Sequence, residues 1–101
     1  MKPGMLMVKK SVRETRNPRN TEEKLFIGYI DLSFDQDQKG NFLKVYKSQF
    51  NVKDYPIDRD MIAYSNTNHT MIISLFLKEL PGDSVASFLE ILPTVFNVVE
   101  G

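Results

Sequence analysis

The residues able to catalyse a reaction are few, and the first of them is the single histidine. His69 follows a polar turn formed by residues 65–68, and no cysteine or second histidine accompanies it to complete a metal site. We interpret His69 as a surface turn residue. Glu22 and Glu23 are paired carboxylates, but they lie in a polar segment where nothing would raise a pKa for acid–base work.

Three aspartates form an oxygen-rich segment. Asp31, Asp35 and Asp37 have the close spacing of a cation-binding loop. Counted from Asp35, however, the twelfth position is Tyr46, where a calcium-binding loop needs a bidentate glutamate. We therefore interpret the cluster as the solvated tip of a hairpin and predict no metal ligand.

Other motifs of catalysis do not occur in the 101 residues. The sequence has no glycine-rich phosphate loop, no GxSxG nucleophile elbow and no HExxH zinc motif. It also lacks cysteine, which excludes disulfides, thiolate ligands and a cysteine nucleophile and suits a reducing compartment. No apolar run approaches the roughly 18–20 residues that cross a bilayer. We predict a non-enzymatic, cytoplasmic protein without a cofactor.

The elements that would position a binding site are predicted from hydrophobic periodicity. Residues 25–34 and 41–52 are rich in β-forming residues and flank a glycine-containing loop, and residues 61–64 and 69–80 favour two further strands. The last part of the chain has the spacing of one helix face, and Pro93 should kink or interrupt that helix. The predicted fold is α+β, a four-stranded antiparallel sheet (ββββα) packed on a C-terminal helix.

Charge is distributed unevenly along a chain whose net charge is zero. Residues 1–20 carry six Lys or Arg against Glu14 alone, whereas residues 79–101 carry four Asp or Glu and no Lys or Arg. Such asymmetry is typical of a basic arm that meets a polyanion, but the arm could equally lie on its own acidic end or act as a solubilising tail. We assign residues 1–23 to a basic, flexible N-terminal arm and residues 24–101 to a single α+β domain.

The uncovered side of the predicted sheet is aromatic and basic. In a sheet with a helix on one side, alternate residues of each strand point away from the core. Rings beside lysines suit single-stranded nucleic acid, because bases stack on rings and ammonium groups meet phosphates. The same rings could instead be buried against another protein chain. The side chains predicted on this side are Tyr29, Phe42, Lys44, Tyr46, Phe50, Ile72, Phe76 and Lys78.

One stretch of the sequence resembles a known family. Residues 29–45 hold a strand, a Lys-Gly turn and an aromatic-Leu-Lys strand, in the order found in the first hairpin of Pur-alpha repeats. Residues 71–89 are similar in layout to the last strand and helix of that repeat. The resemblance implies the ββββα unit of Pur-alpha and PC4-like (whirly-type) proteins, which pairs into homodimers and binds single-stranded DNA or RNA on its sheets. Carried onto this chain, it implies binding by Lys39, Asn41, Phe42 and Lys44.

Two functions from different classes follow from these features. The first is single-stranded nucleic-acid binding by a homodimer in which two sheets make one binding surface. The alternative is a small inhibitor or adaptor, for example phage-encoded, that docks on a protein partner through the same side; zero net charge supports it, since nucleic-acid modules are usually basic overall. The residues predicted to bind nucleic acid are Tyr29, Lys39, Asn41, Phe42, Lys44, Tyr46, Phe76 and Lys78 in the domain and Lys9, Lys10, Arg13, Arg16 and Arg19 in the arm.

Overall fold

A mixed five-stranded sheet carries two helices on one side in the computed structural model of the chain. The structure describes residues 4–17 and 20–101, with the backbone alone for residues 14–17 and 20–25. The elements are β1 (Met5–Asn17), β2 (Asn20–Asp35), α1 (Lys39–Gln49), β3 (Ile62–Ser65), β4 (Thr70–Phe76), α2 (Gly82–Val95) and β5 (Asn97–Glu100). The strand order is β3-β4-β2-β1-β5, and neighbours are antiparallel except β1 and β5, which are parallel.

Strands β1 and β2 form a long antiparallel hairpin at the centre of the sheet. The register runs from Leu6 opposite Phe34 towards the hairpin tip. Most of the predicted flexible arm is therefore a strand of the sheet, paired with β2 along its length and also with β5 over Met5–Val8. The physical reason is that the buried Leu6 and Val8 alternate with exposed neighbours, which is strand periodicity. Residues 1–3, 18 and 19 of the predicted arm lie outside the described residues.

The predicted second strand is a helix. The buried side chains of α1, Phe42, Val45 and Tyr46, recur at intervals of three and four residues. These residue types also favour strands, so the local sequence fits both structures, and packing against α2 and the sheet decides for the helix. The α+β class is confirmed, but the strand over residues 41–52 and the all-antiparallel ββββα order are wrong.

The C-terminal half follows the prediction more closely. β3 and β4 are antiparallel neighbours, and β4 ends in a short 3-10 turn, Leu77–Glu79, instead of continuing to residue 80. Helix α2 runs through Pro93 without the predicted interruption, because an exposed proline in the last turn removes only one hydrogen bond. Within residues 4–17 and 20–101, no helix is long and apolar enough to span a bilayer.

An aromatic cluster around Phe88 joins both helices to the sheet. The Phe88 ring on α2 packs edge-on against Phe42 and Tyr46 of α1, with centroid distances of 6.0 and 6.1 Å. Phe42 stacks on Phe34 of β2 at 4.9 Å, and Phe50 lies 5.6 Å from Phe88. Since each such pair adds about 0.5–1.5 kcal/mol beyond area burial, the cluster holds α1 against both β2 and α2.

Tyr46 combines this packing with a polar contact. Its ring is buried, and its hydroxyl donates a hydrogen bond of 2.7 Å to the carbonyl oxygen of Tyr55. Burial raises the pKa of the Tyr46 phenol above its ordinary value of 10.0, because the phenolate would lose its hydration. The neutral phenol is therefore the form that the fold stabilises.

Stability should fall in alkaline solution partly because of Tyr46. Its folded pKa lies above the unfolded one, so its contribution is complete below pH 10.0 and is lost as the pH rises through the folded pKa. We expect Tyr46→Phe to remove this part of the alkaline loss, while the missing hydrogen bond costs about 1 kcal/mol at neutral pH. Urea unfolding of both proteins across this range is the measurement, and parallel alkaline losses would contradict the assignment.

The backbones of β1 and β2 approach each other closely at Gly28. Its φ is 123°, and a Cβ at this position would overlap the carbonyl oxygen of Ser11. We expect Gly28→Ala to lower the free energy of unfolding by about 2 kcal/mol or more. Gly40 in α1 is the matched control, because an added Cβ there meets nothing within 4 Å.

Gly40→Ala should raise the free energy of unfolding by about 0.5–1 kcal/mol, since alanine favours the helix. Urea unfolding with intrinsic tyrosine fluorescence measures both variants. If the two substitutions have the same effect, the close approach at Gly28 is not a constraint on the hairpin.

Candidate interaction surface

The sheet has one side covered by α1 and α2 and one uncovered side, here called the open face. Residues directly opposite each other on neighbouring strands point to the same side, so the register defines rows across the sheet. Tyr29, for example, lies opposite Ser11 on β1 and opposite Phe76 on β4. The open face consists of Met5, Met7, Lys9, Ser11, Arg13, Ile27, Tyr29, Asp31, Ser33, Asp35, Ala63, Ser65, Thr70, Ile72, Ser74, Phe76, Asn97 and Val99.

Large apolar side chains are exposed on the open face. Phe76 is 58% exposed and Tyr29 40%, although both rings could bury a large area. An antiparallel sheet normally carries polar side chains on its solvated side, so exposed apolar side chains on four adjacent strands, on both sides of the row of Lys9, Asp31 and Ser74, indicate an interaction surface. The exposed apolar members are Met5, Met7, Ile27, Tyr29, Phe76 and Val99.

The charges of the open face balance each other. In the central row, Lys9 lies opposite Asp31, which accepts a hydrogen bond of 2.6 Å from the hydroxyl of Ser74. Arg13 lies two rows towards the hairpin tip, and Asp35 lies two rows in the opposite direction. Two cations and two carboxylates therefore leave this surface neutral, with the opposite charges adjacent at its centre.

Four of the predicted binding residues come together on the open face. Tyr29 and Phe76 lie on the same side, as alternation within their strands predicts, and the register makes them direct cross-strand neighbours. Lys9 and Arg13, assigned by sequence to a mobile arm, stand on the neighbouring strand of the same surface. The arrangement provides two rings beside two cations.

Phe42 and Tyr46, by contrast, are not surface residues. Both are buried in the aromatic cluster, at 0% and 1% exposure, and Phe50 is buried with them. Their predicted place on the uncovered side is corrected, because a helix rather than a strand carries Phe42 and Tyr46 and turns them towards α2 and the sheet. Rings that are closed off in this way cannot stack on bases.

The predicted residues of α1 lie on the opposite side of the molecule from the open face. Lys39 and Lys44 are exposed on α1, and the side-chain amide of Asn41 donates a hydrogen bond of 3.0 Å to the side-chain oxygen of Gln38. The structure therefore does not bring these three predicted residues together with Tyr29.

Two further predicted cations, Lys10 and Lys78, lie outside the strand positions of the open face. Lys10 points to the helix side and lies 3.4 Å from the Glu100 carboxylate, an exposed pair that contributes little. Lys78 is exposed in the 3-10 turn after β4. The side chain of Arg16 and the whole of Arg19 lie outside the described part of the chain.

An acidic cleft adjoins one edge of the open face. It has a volume of about 310 Å³, and Phe76 forms part of its wall. Four carboxylate residues, Asp54, Asp58, Asp60 and Glu79, also line it. Within the described residues, no group of three or more potential ligand side chains is arranged to hold a metal ion. The carboxylates make the surroundings of Phe76 unfavourable for phosphate.

The sequence did not predict the apolar side chains that the first residues of β1 and those of β5 contribute to the open face. Met5 and Met7 stand on β1, and Val99 on β5 lies opposite Met7. The alternation of residues 5–8 is a strand signal, but that stretch alone predicts no more than a short edge strand. The parallel pairing of β5 with β1 joins residues 90 and more positions apart, which local periodicity does not indicate.

Comparisons of this chain with protein-family models, curated proteins and solved structures return no match. The resemblance of residues 29–45 to Pur-alpha repeats therefore stays a prediction, and its central motif lies in α1 rather than in a hairpin. The function has to be argued from the open face itself.

Proposed function

We propose that this chain is a non-enzymatic interaction module that docks on a protein chain through the open face. The observation that carries the proposal is the exposure of large apolar side chains on β4, β2, β1 and β5, in two groups on either side of the polar row of Lys9, Asp31 and Ser74. Removing apolar surface from water contributes about 25 cal/mol per Å². A protein surface supplies matching apolar area, whereas a phosphate backbone does not.

Electrostatics also favours a protein partner. The open face is neutral, and the cleft beside Phe76 is acidic. Affinity for nucleic acid depends strongly on neutralising phosphates with Lys and Arg. A neutral surface that combines apolar side chains with a few adjacent opposite charges is instead typical of protein interfaces.

Photo-cross-linking at position 29 tests this function. We expect a photoreactive phenylalanine replacing Tyr29 to form a protein adduct in nuclease-treated lysate of the source cells, since this position lies at the centre of the open face. The matched control carries the same group in place of Lys47, which is exposed on α1. Gel analysis and mass spectrometry identify the adducts.

The comparison between positions 29 and 47 decides whether docking uses the open face. A protein adduct specific to position 29 supports docking through the open face. Equal adducts at both positions, or adducts that disappear with nuclease treatment, would exclude this function for the open face.

Single-stranded nucleic-acid binding is the second candidate, and one observation favours it. Tyr29 and Phe76 are opposite each other on adjacent strands, and Lys9 and Arg13 lie on the next strand of the same face. Two exposed rings can each stack on a base, at about 1–3 kcal/mol per base. This candidate is the function that the Pur-alpha resemblance implies.

Fluorescence anisotropy with labelled single-stranded and duplex oligonucleotides at two salt concentrations tests the second candidate. If the open face binds bases, Tyr29→Ala combined with Phe76→Ala should weaken single-strand binding by roughly 10-fold or more. Lys39→Ala combined with Lys44→Ala is the control on the other side of the molecule and should change little. Absence of binding by the unmodified protein at low salt would eliminate the candidate.

A further inference from the structure

We infer that the protein chain bound by the open face is a second copy of this chain, in a two-fold dimer whose sheets pack face to face. The inference rests on the proposed function, because it names the partner of the same surface. What supports it is a self-complementarity of charge and side-chain size that follows from the register of β1 and β2.

The charge pattern selects one symmetry axis. Consider a two-fold axis parallel to the strands and midway between β1 and β2. Rotation about this axis leaves each row at the same position along the strand direction and places β1 over β2 of the other copy. Lys9 then faces Asp31 of the partner subunit, and Asp31 faces the partner's Lys9, because the two residues share the central row. The dimer therefore contains two symmetric pairs of opposite charges.

A different axis gives the opposite result. A two-fold axis across the strands, through the same central row, places each strand over its own copy. Lys9 would then face the partner's Lys9, and Asp31 the partner's Asp31. Like charges in an interface are strongly unfavourable, so the register favours the axis parallel to the strands.

Side-chain size is complementary in the same arrangement. One of the two rows next to the charged pair holds Tyr29 and Ser11. Each Tyr29 ring therefore lies over the small side chain of the partner's Ser11. The row on the other side of the charged pair holds Met7 and Ser33, which again places a large side chain over a small one. Alternation of large and small residues across facing positions lets two sheets interdigitate at about 10 Å.

The outer strands extend the contact. Ile72 on β4 and Val99 on β5 lie in the same row as Met7, on opposite sides of the axis. In the dimer, Ile72 faces Val99 of the partner subunit, and both are apolar. Two aligned sheets cross at about 30°, which keeps the central rows in contact.

The available area suits a weak dimer. Residues 5–13 of β1 and 27–35 of β2, with the four rows in which β4 and β5 face each other across the axis, occupy roughly 400 Å² per copy at about 4.8 Å between strands and about 3.3 Å per residue. Two copies would bury about 800 Å² by this count, which is the range of weak, transient association. A reversible dimer is therefore expected.

Charge reversal tests this geometry in the full chain. Sedimentation velocity and light scattering, from low micromolar to high concentration, should give a mass twice the 11.7 kDa of the monomer. Lys9→Asp and Asp31→Lys should each weaken the dimer at least about 30-fold, because each creates two like-charge pairs. Lys47→Asp on α1 is the control and should leave the mass unchanged. Circular dichroism verifies that each variant is folded.

Restoration is the decisive measurement. The double variant K9D/D31K, and an equimolar mixture of the two single variants, should both recover dimers because opposite charges face each other again. Failure of both to recover would overturn the Lys9–Asp31 pairing. A dimer that is insensitive to the single reversals, or a wild-type chain that stays monomeric, would overturn the inference as a whole.

Failure of the dimer is distinguishable from failure of the proposed function. A monomeric chain that still forms a nuclease-resistant adduct with a different protein at position 29 loses the second copy as partner but keeps protein docking. A monomeric chain without such an adduct loses both.

Discussion

The packing of the Phe88 ring against Phe42 and Tyr46 is the interaction on which the rest of the structure depends. Helix α1 carries lysines on its exposed side and has only three buried side chains to hold it in place. Because these chains meet α2 on one side and Phe34 of the sheet on the other, both helices are confined to one face. The opposite face is left uncovered as a direct consequence.

The register of the β1–β2 hairpin then determines what that uncovered face presents. Side chains alternate between the two sides of a strand, so a shift of one residue would exchange the buried Leu6 and Val8 for Met7 and Lys9. Gly28 permits the close approach of the two backbones at one point of this pairing. Core burial on one side therefore maintains the apolar and charged pattern on the other.

The composition of the open face explains why a protein partner is favoured over nucleic acid. Three of the five aromatic residues that suggested base stacking are part of the core, and the lysines of α1 are on the far side of the molecule. What remains alternates large apolar side chains with small polar ones and has Lys9 adjacent to Asp31. Such a surface complements a second surface with the same alternation, and the open face of a second copy has that property.

The sequence by itself determined the α+β class, the β3–β4 region, the amphipathic α2 and the shared side of Tyr29 and Phe76, because each depends on periodicity within a short segment. Only the tertiary structure decided that residues 39–49 are a helix, since strand and helix spacing both fit them and burial against Phe88 selects one. It also decided that Met5–Asn17 is a strand of the sheet, with a partner on both sides over Met5–Val8, and that Val99 joins the open face. Those pairings connect distant parts of the chain, and their free energy comes from contacts that no local pattern contains.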